Sequence, residues 1–179
     1  MYPVKQPLKI AAAIATTLLV VEIINLLTQR SLVYFGIYPR NLHYLPMIFT
    51  SPFIHASVQH LLANLITVSV FAGLISTQGT KRFLTVSLWI IVVTGLLVWL
   101  LGRSAMHVGA SGVIYGYLGY LLIAGWRSKQ KRMLLISLLV AAFYGSMIFG
   151  VLPSAGFISW ESHLFGFFSG VIAAWYWAK

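Results

Sequence analysis

The sequence predicts an all-α membrane protein, a bundle of six transmembrane helices with both termini on the cytoplasmic side. Three observations predict it: the bulk composition, the spacing of the apolar runs and the placement of the basic residues. The 179 residues are 60% hydrophobic and 8% charged, against about 45–50% and 25% in soluble globular domains. Cysteine is absent, which excludes thiolate catalysis, Cys-type zinc sites and disulfides. Glu22 and Glu161 are the only carboxylates. They are too few for a di-metal site, and neither a metal nor a cofactor is expected. A formal charge of +10 is compatible with nucleic acid. The basic residues nevertheless lie between apolar runs and form no stripe, so no nucleic-acid partner is expected.

A bilayer core of about 30 Å needs about 20 apolar residues per helix. Stretches that meet this need lie at 9–28, 58–77, 83–101, 111–126, 133–150 and 163–178. The first follows Lys5 and Lys9 in the manner of a signal peptide. Its long apolar run lacks a small-x-small cleavage pattern, so it reads as an anchored helix. Basic residues favour the cytoplasmic side of short loops. With the N-terminus inside, the inner segments hold Lys5, Lys9, Lys81, Arg82, Arg127, Lys129, Lys131, Arg132 and Lys179, and the outer ones hold Arg30, Arg40 and Arg103. The positive charge thus reads as a topology signal.

The link from Gln29 to Ser57 is too long for a simple turn. It carries Tyr34, Phe35, Tyr38, Tyr44, Phe49 and Phe53 with Pro39, Pro46 and Pro52. Aromatics favour the headgroup level, so this outer segment, 29–57, is expected to lie partly in the interface. No repeat, low-complexity tract or preceding soluble domain is read; residues 1–179 are expected to form a single domain.

Polar residues recur at one depth. The second, fourth and sixth spans all run from outside to inside, so their first residues share the outer layer. The second begins VQHLLANLI, with His60 and Asn64 one turn apart on one face. The fourth begins at Ser111 and the sixth at His163. Sixteen residues from Ser111 to Trp126 cover about 24 Å, and the basic cluster after Trp126 pins the far end. Ser111 is therefore expected several ångströms below the outer surface, and reaction there needs a cavity open to water. Polar groups inside a membrane are costly and usually functional.

Glycine lets helices approach closely in lipid. Gly166 and Gly170 stripe the sixth span, and Gly112, Gly116 and Gly119 the fourth, with Gly109 just before Ser111. Facing stripes would bring Ser111 beside His163. Serine attacks an amide only when a base takes its proton, and histidine is the usual base near neutral pH. Without Asp a two-residue dyad is favoured. Glu161 stands two residues before His163 and reaches it only from an irregular loop. The backbone N–H of Ser111, opening a helix, is free to bind an oxyanion, and His60 and Asn64 add side-chain donors.

These residues resemble the rhomboid intramembrane serine proteases. GASG at 109–112 is similar to the family's GxSG, HLFGFFSG at 163–170 to its HxxGxxxG, and HASVQHLLAN at 55–64 to its HxxxxHxxxN. Tyr115 matches a tyrosine that packs on the catalytic histidine. The resemblance runs from about Ile37 to the end, in the bacterial six-helix layout. It implies Ser111 as nucleophile, His163 as general base, and His60 and Asn64 as oxyanion donors with the Ser111 amide. It also implies cleavage of membrane-anchored substrates in or near a transmembrane segment, beside the second and fifth spans. The implied location is the bacterial inner membrane, with the site on the periplasmic side. One departure stands out: Pro46-Met47 occupies the place of a Trp-Arg pair common in the family.

Plainer roles are set beside these. Ser111 could be a small interface residue, and His60 and Asn64 interhelical contacts. His55 reads as a packing residue of the loop, and His43 and His107 as ordinary interfacial histidines. Glu22 is expected to pair with an amide or hydroxyl of a neighbouring helix, or to be protonated, with Asn25 sharing its role. The competing functions are a non-catalytic relative that binds and escorts transmembrane helices and a small proton-coupled transporter. The first is disfavoured by the presence of both serine and histidine, and the second by the lack of repeated halves.

Overall fold

The computed structural model describes residues 5–154 and 158–179. The described residues form six α-helices: α1 (Lys5–Leu27), α2 (Val58–Ser76), α3 (Thr80–Leu101), α4 (Ser111–Ser128), α5 (Lys131–Tyr144) and α6 (Trp160–Trp177). Each occupies one of the expected stretches. Two differences are informative. The fifth departs from α-helix at Gly145 and continues as 3-10 helix to Val151. The outer link also holds three short 3-10 segments, 31–35, 42–48 and 51–53.

Length and apolarity mark α1, α2, α3 and the stretch Lys131–Val151 as able to cross a membrane. The helices carrying Ser111 and His163 fall outside that set, for a physical reason. Helix α4 is central, buried without a break from Gly112 to Leu121. It faces protein on nearly all sides, where Gly and Tyr serve as well as Leu. Helix α1, by contrast, exposes Leu19, Val20, Ile23, Ile24, Leu26 and Leu27. Water would penalise such a face, and lipid does not.

The closest helix pair is α4 with α6. A Cβ on Gly166 would strike the Gly112 carbonyl, one on Gly170 the Gly116 carbonyl, and one on Gly119 the Phe167 carbonyl. The side of Gly112 that a Cβ would occupy faces both α3 and α6, as the facing-stripe picture expects in part, whereas that of Gly116 faces α3 alone. Gly112 meets Thr94 of α3 and Ser162 of α6, and Gly116 meets Ile90 of α3, so α3 shares the space those glycines open. Polar ties add to the packing: Thr94 to Ser169 at 3.1 Å, Ser87 to Tyr117 at 2.7 Å and Trp89 Nε1 to the Ser169 carbonyl at 3.1 Å.

The two ends of the bundle differ. Gln6 donates to Thr80, and Arg82 to the Lys179 carbonyl, so both described termini meet the α2–α3 turn at one end. The outer link, the α3–α4 loop and the start of α6 meet at the other. There Ile37 and His107 exchange backbone hydrogen bonds of 3.0 and 2.8 Å. Arg40 caps the end of α3 through the Gly102 carbonyl at 2.7 Å, and Trp99 Nε1 donates to the Asn41 carbonyl at 2.9 Å. A tryptophan and an arginine therefore fasten the outer link although Pro46-Met47 replaces the expected pair; they come from other positions.

Candidate active site

Ser111, His163, His60, Asn64 and Tyr115 line one cavity of about 630 Å³, between α2 and the segment following α5. Ser111 is half-buried at the first residue of α4, while Asn64 and His163 are buried. The preceding turn presents Ser111: Gly109 takes φ 118°, a region L side chains rarely adopt. A Cβ on Gly109 would also strike the His60 imidazole. Gly109 thus makes room for His60 and not for the sixth helix.

His163 is held at two points. Its ring stacks on Tyr115, with centroids 4.1 Å apart and planes 8° apart. Its Nδ1 lies 2.9 Å from the Gly150 carbonyl. A carbonyl only accepts, so Nδ1 carries the proton and the neutral ring keeps its lone pair on Nε2. The orienting acceptor is a backbone carbonyl on the 3-10 segment, a feature that no residue type announces. A Cβ on Gly150 would collide with the Tyr115 hydroxyl, so this glycine admits the tyrosine as well. No hydrogen bond joins Ser111 to His163 among the described residues.

Glu161 is not the third member of a triad. Its Oε1 accepts from the Arg103 backbone N–H at 3.3 Å and lies 3.6 Å from Arg103 Nε. Glu22 pairs with Arg30 at 2.9 Å, and not, as expected, with a hydroxyl or amide of another helix. Consecutive positive φ angles at Gln29 and Arg30, 52° and 62°, fold the chain back so that Arg30 reaches Glu22. Arg30 and Asn25 both donate to the His55 carbonyl, at 3.2 and 3.0 Å.

His55 is more than loop packing. It is 1% exposed, lies edge-on to His60 at 5.0 Å, and its Nε2 accepts the Ala110 N–H at 3.3 Å. The residue before Ser111 is thereby tied to the start of α2. Burial first, and the neighbouring His60 second, push the His55 imidazole down to about 4, so it is neutral at physiological pH. His107, read from sequence as interfacial, is buried. Its Nε2 donates to the Arg103 carbonyl at 3.0 Å and its Nδ1 accepts from Ser159 at 2.6 Å. Burial lowers its basicity too. His43 remains exposed, edge-on to Tyr44.

One buried amide donor beside Ser111 has no hydrogen-bond partner among the described residues. Asn64 Nδ2 is sealed from solvent yet makes no hydrogen bond, and the residue lines the same cavity as Ser111. Leaving such a group unmade costs about 1–3 kcal/mol, which is tolerable where a ligand supplies the acceptor.

A helical membrane protein with a serine, a histidine and an unsatisfied amide around one cavity is the class these features define. The rhomboid domain family matches residues 42–179, and the chain belongs to the rhomboid family. It is 34% identical to an uncharacterized protein of Mycobacterium tuberculosis over 167 residues, 88% of this chain and 70% of that one. A Mycobacterium leprae protein, also uncharacterized, is 36% identical over 167 residues, covering 88% and 66%. The RHOMBOID-like protein 1 of Arabidopsis thaliana is 30% identical over 132 residues, 70% of this chain and 32% of its own length.

Proposed function

We propose that this rhomboid-family membrane protein is an intramembrane serine endopeptidase that cleaves membrane-anchored substrates in or near their transmembrane segments. The observation that carries the reading is the cavity that Ser111 and His163 both line, with His163 Nδ1 committed to the Gly150 carbonyl so that Nε2 keeps the lone pair. In the proposed reaction Nε2 takes the Ser111 proton as Oγ attacks the scissile carbonyl. The tetrahedral oxyanion is met by the Ser111 N–H, Asn64 Nδ2 and His60. His163 then gives its proton to the leaving amine, and the acyl-serine forms. Water, deprotonated by His163, releases the acid and restores the hydroxyl. Catalytic hydrogen bonds are often long before substrate binds, which accommodates the missing Ser111–His163 bond.

All six helices cross the bilayer in this reading, as one domain over 1–179. Both termini are cytoplasmic and the cavity faces the periplasmic side of a bacterial inner membrane. The nine inner basic residues support that orientation. So do Tyr34, Phe35 and Phe49, exposed on the outer link. The cavity lies between α2 and Met147 of the segment after α5, which suits a substrate strand entering there.

The test is cleavage of a tagged single-span substrate by the pure protein in detergent. Cleavage is expected from the wild type and not from Ser111→Ala. Undiminished cleavage by Ser111→Ala refutes the assignment, and no cleavage by either protein favours a helix-binding role.

A further inference from the structure

We propose that Glu22 and Arg30 are positioning residues of the candidate site, and that through them α1 holds the turn that presents Ser111. That turn is fastened from outside α4. The Gly109 N–H donates to the Ser51 carbonyl at 2.9 Å, and the Ala110 N–H donates to His55 Nε2 at 3.3 Å. Ala110 is the N-cap of α4 and Ser111 its first residue. The place of His55 therefore sets the place of the Ser111 N–H and hydroxyl, one residue further on.

His55 is held in turn from the side of α1. Its carbonyl accepts two side-chain donors, Asn25 Nδ2 at 3.0 Å and Arg30 Nη1 at 3.2 Å. The other arm of the same guanidinium, Nη2, donates to Glu22 Oε1 at 2.9 Å. Arg30 is thus fixed between a carboxylate of α1 and the carbonyl of the residue whose ring holds Ala110. A planar fork of donors sets direction as well as distance, which a lysine ammonium does not. The fork is brought there by left-handed backbone at Gln29 and Arg30, φ 52° and 62°. A bond of 2.6 Å from the Arg30 N–H to the Asn25 carbonyl closes the fold-back. The His55 ring also lies edge-on to His60 with centroids 5.0 Å apart. One residue held by α1 thereby borders two of the proposed oxyanion donors.

Packing α1 against the bundle does not call for this arrangement. Leu18, one turn before Glu22, is buried in the apolar core. An ion pair taken out of water loses hydration, and apolar residues of similar size are often as stable in its place. A carboxylate within a span is instead a mark of function, and Glu22 is 5% exposed. The pair achieves what leucine and methionine do not, which is to aim Arg30 at the His55 carbonyl. That this aim serves catalysis rests on the peptidase reading above; that it holds the turn does not.

The test replaces the pair with apolar residues, Glu22→Leu with Arg30→Met, in the full chain in detergent. The unfolding midpoint is expected to stay within about 4 °C of the wild type. Cleavage of a tagged single-span substrate is counted per serine labelled by a fluorophosphonate at saturation. Its kcat should fall about 10–10²-fold with KM unchanged. The conservative variant Glu22→Gln keeps an oxygen for Arg30, so its loss should be only about three-fold. Arg30→Lys keeps the charge and removes the fork, and should lose about ten-fold. Wild-type kcat in Arg30→Lys overturns the proposal even where the double variant does not fold. A loss in Glu22→Gln as large as in Arg30→Lys makes charge the agent and overturns it too. Hydrogen exchange needs no substrate: the Ala110 amide should exchange at least about ten-fold faster in Arg30→Lys, and equal exchange overturns the proposal. If the wild type cleaves nothing while that exchange still rises, the peptidase reading fails and the hold on the turn stands.

Discussion

At the end of the bundle that carries Ser111, both carboxylates of the chain sit against arginines, Glu22 at 2.9 Å from Arg30 and Glu161 at 3.6 Å from Arg103. At the other end Arg82, Arg132 and Lys179 line a cavity, and neither glutamate pairs with them. Each end nonetheless leaves one sealed amide donor unmet, Asn64 Nδ2 at the first and Gln78 Nε2 at the second. The contrast separates two uses of polarity in a membrane protein. Where cations are neutralised internally, the remaining donor is read against a neutral carbonyl that becomes an anion only in the transition state. At the basic end Arg82 instead donates to main-chain and amide oxygens, those of Lys179 and Gln78.

The comparison is broken most severely through Asn64. Asn64→Ala is expected to lower kcat by about 10²–10³-fold with little change in KM, because the donor is used only when the oxyanion forms. A rise in KM alone would make Asn64 a substrate-binding contact. Gly170→Val comes next. The added side chain meets the Gly116 carbonyl and must part α4 from α6, at a cost of about 1–3 kcal/mol. That corresponds to a fall of about 2–12 °C in the unfolding midpoint, with activity lost although Ser111 and His163 are intact. Wild-type midpoint and activity would show that close packing is dispensable.

The smallest effect is on pH. His55 binds its proton near 4 in the folded chain and near the ordinary 6.5 when unfolded. The unfolded state therefore binds more protons between those values. Stability from this group is complete above about 6.5, falls as the pH drops towards 4, and levels off below that. His107 shifts in the same direction. Unfolding midpoints measured from pH 7 to pH 4 should fall, and His55→Gln should flatten part of that slope. An unchanged slope in the variant would remove His55 from the account.

Much of this molecule is legible in the sequence because a bilayer allows so few solutions. Apolar runs of sufficient length must be helices, and the spacing of His60 with Asn64 or of Gly166 with Gly170 fixes a face. What escaped is what residue identity does not encode. The Gly150 carbonyl that orients His163 is backbone, and its place depends on the helix α5 changing pitch at Gly145. The Glu22–Arg30 pair needs two left-handed residues in a row at Gln29 and Arg30, neither of them glycine. His55 reads as packing until its Nε2 is seen to hold the Ala110 N–H. Gly109 carries one of the recognised motifs, yet its space belongs to His60 and not to the helix that bears the base.

The central claim is that His163 activates the Ser111 hydroxyl within the shared cavity. Its most direct measurement is covalent labelling of the folded protein by a fluorophosphonate probe, with the modified residue located by peptide mass spectrometry. The account predicts label on Ser111 in the wild type and a loss of about 10²–10⁴-fold in labelling rate in His163→Ala. Labelling of Ser111 at the same rate without His163, or none in a wild-type protein that is folded, would contradict it.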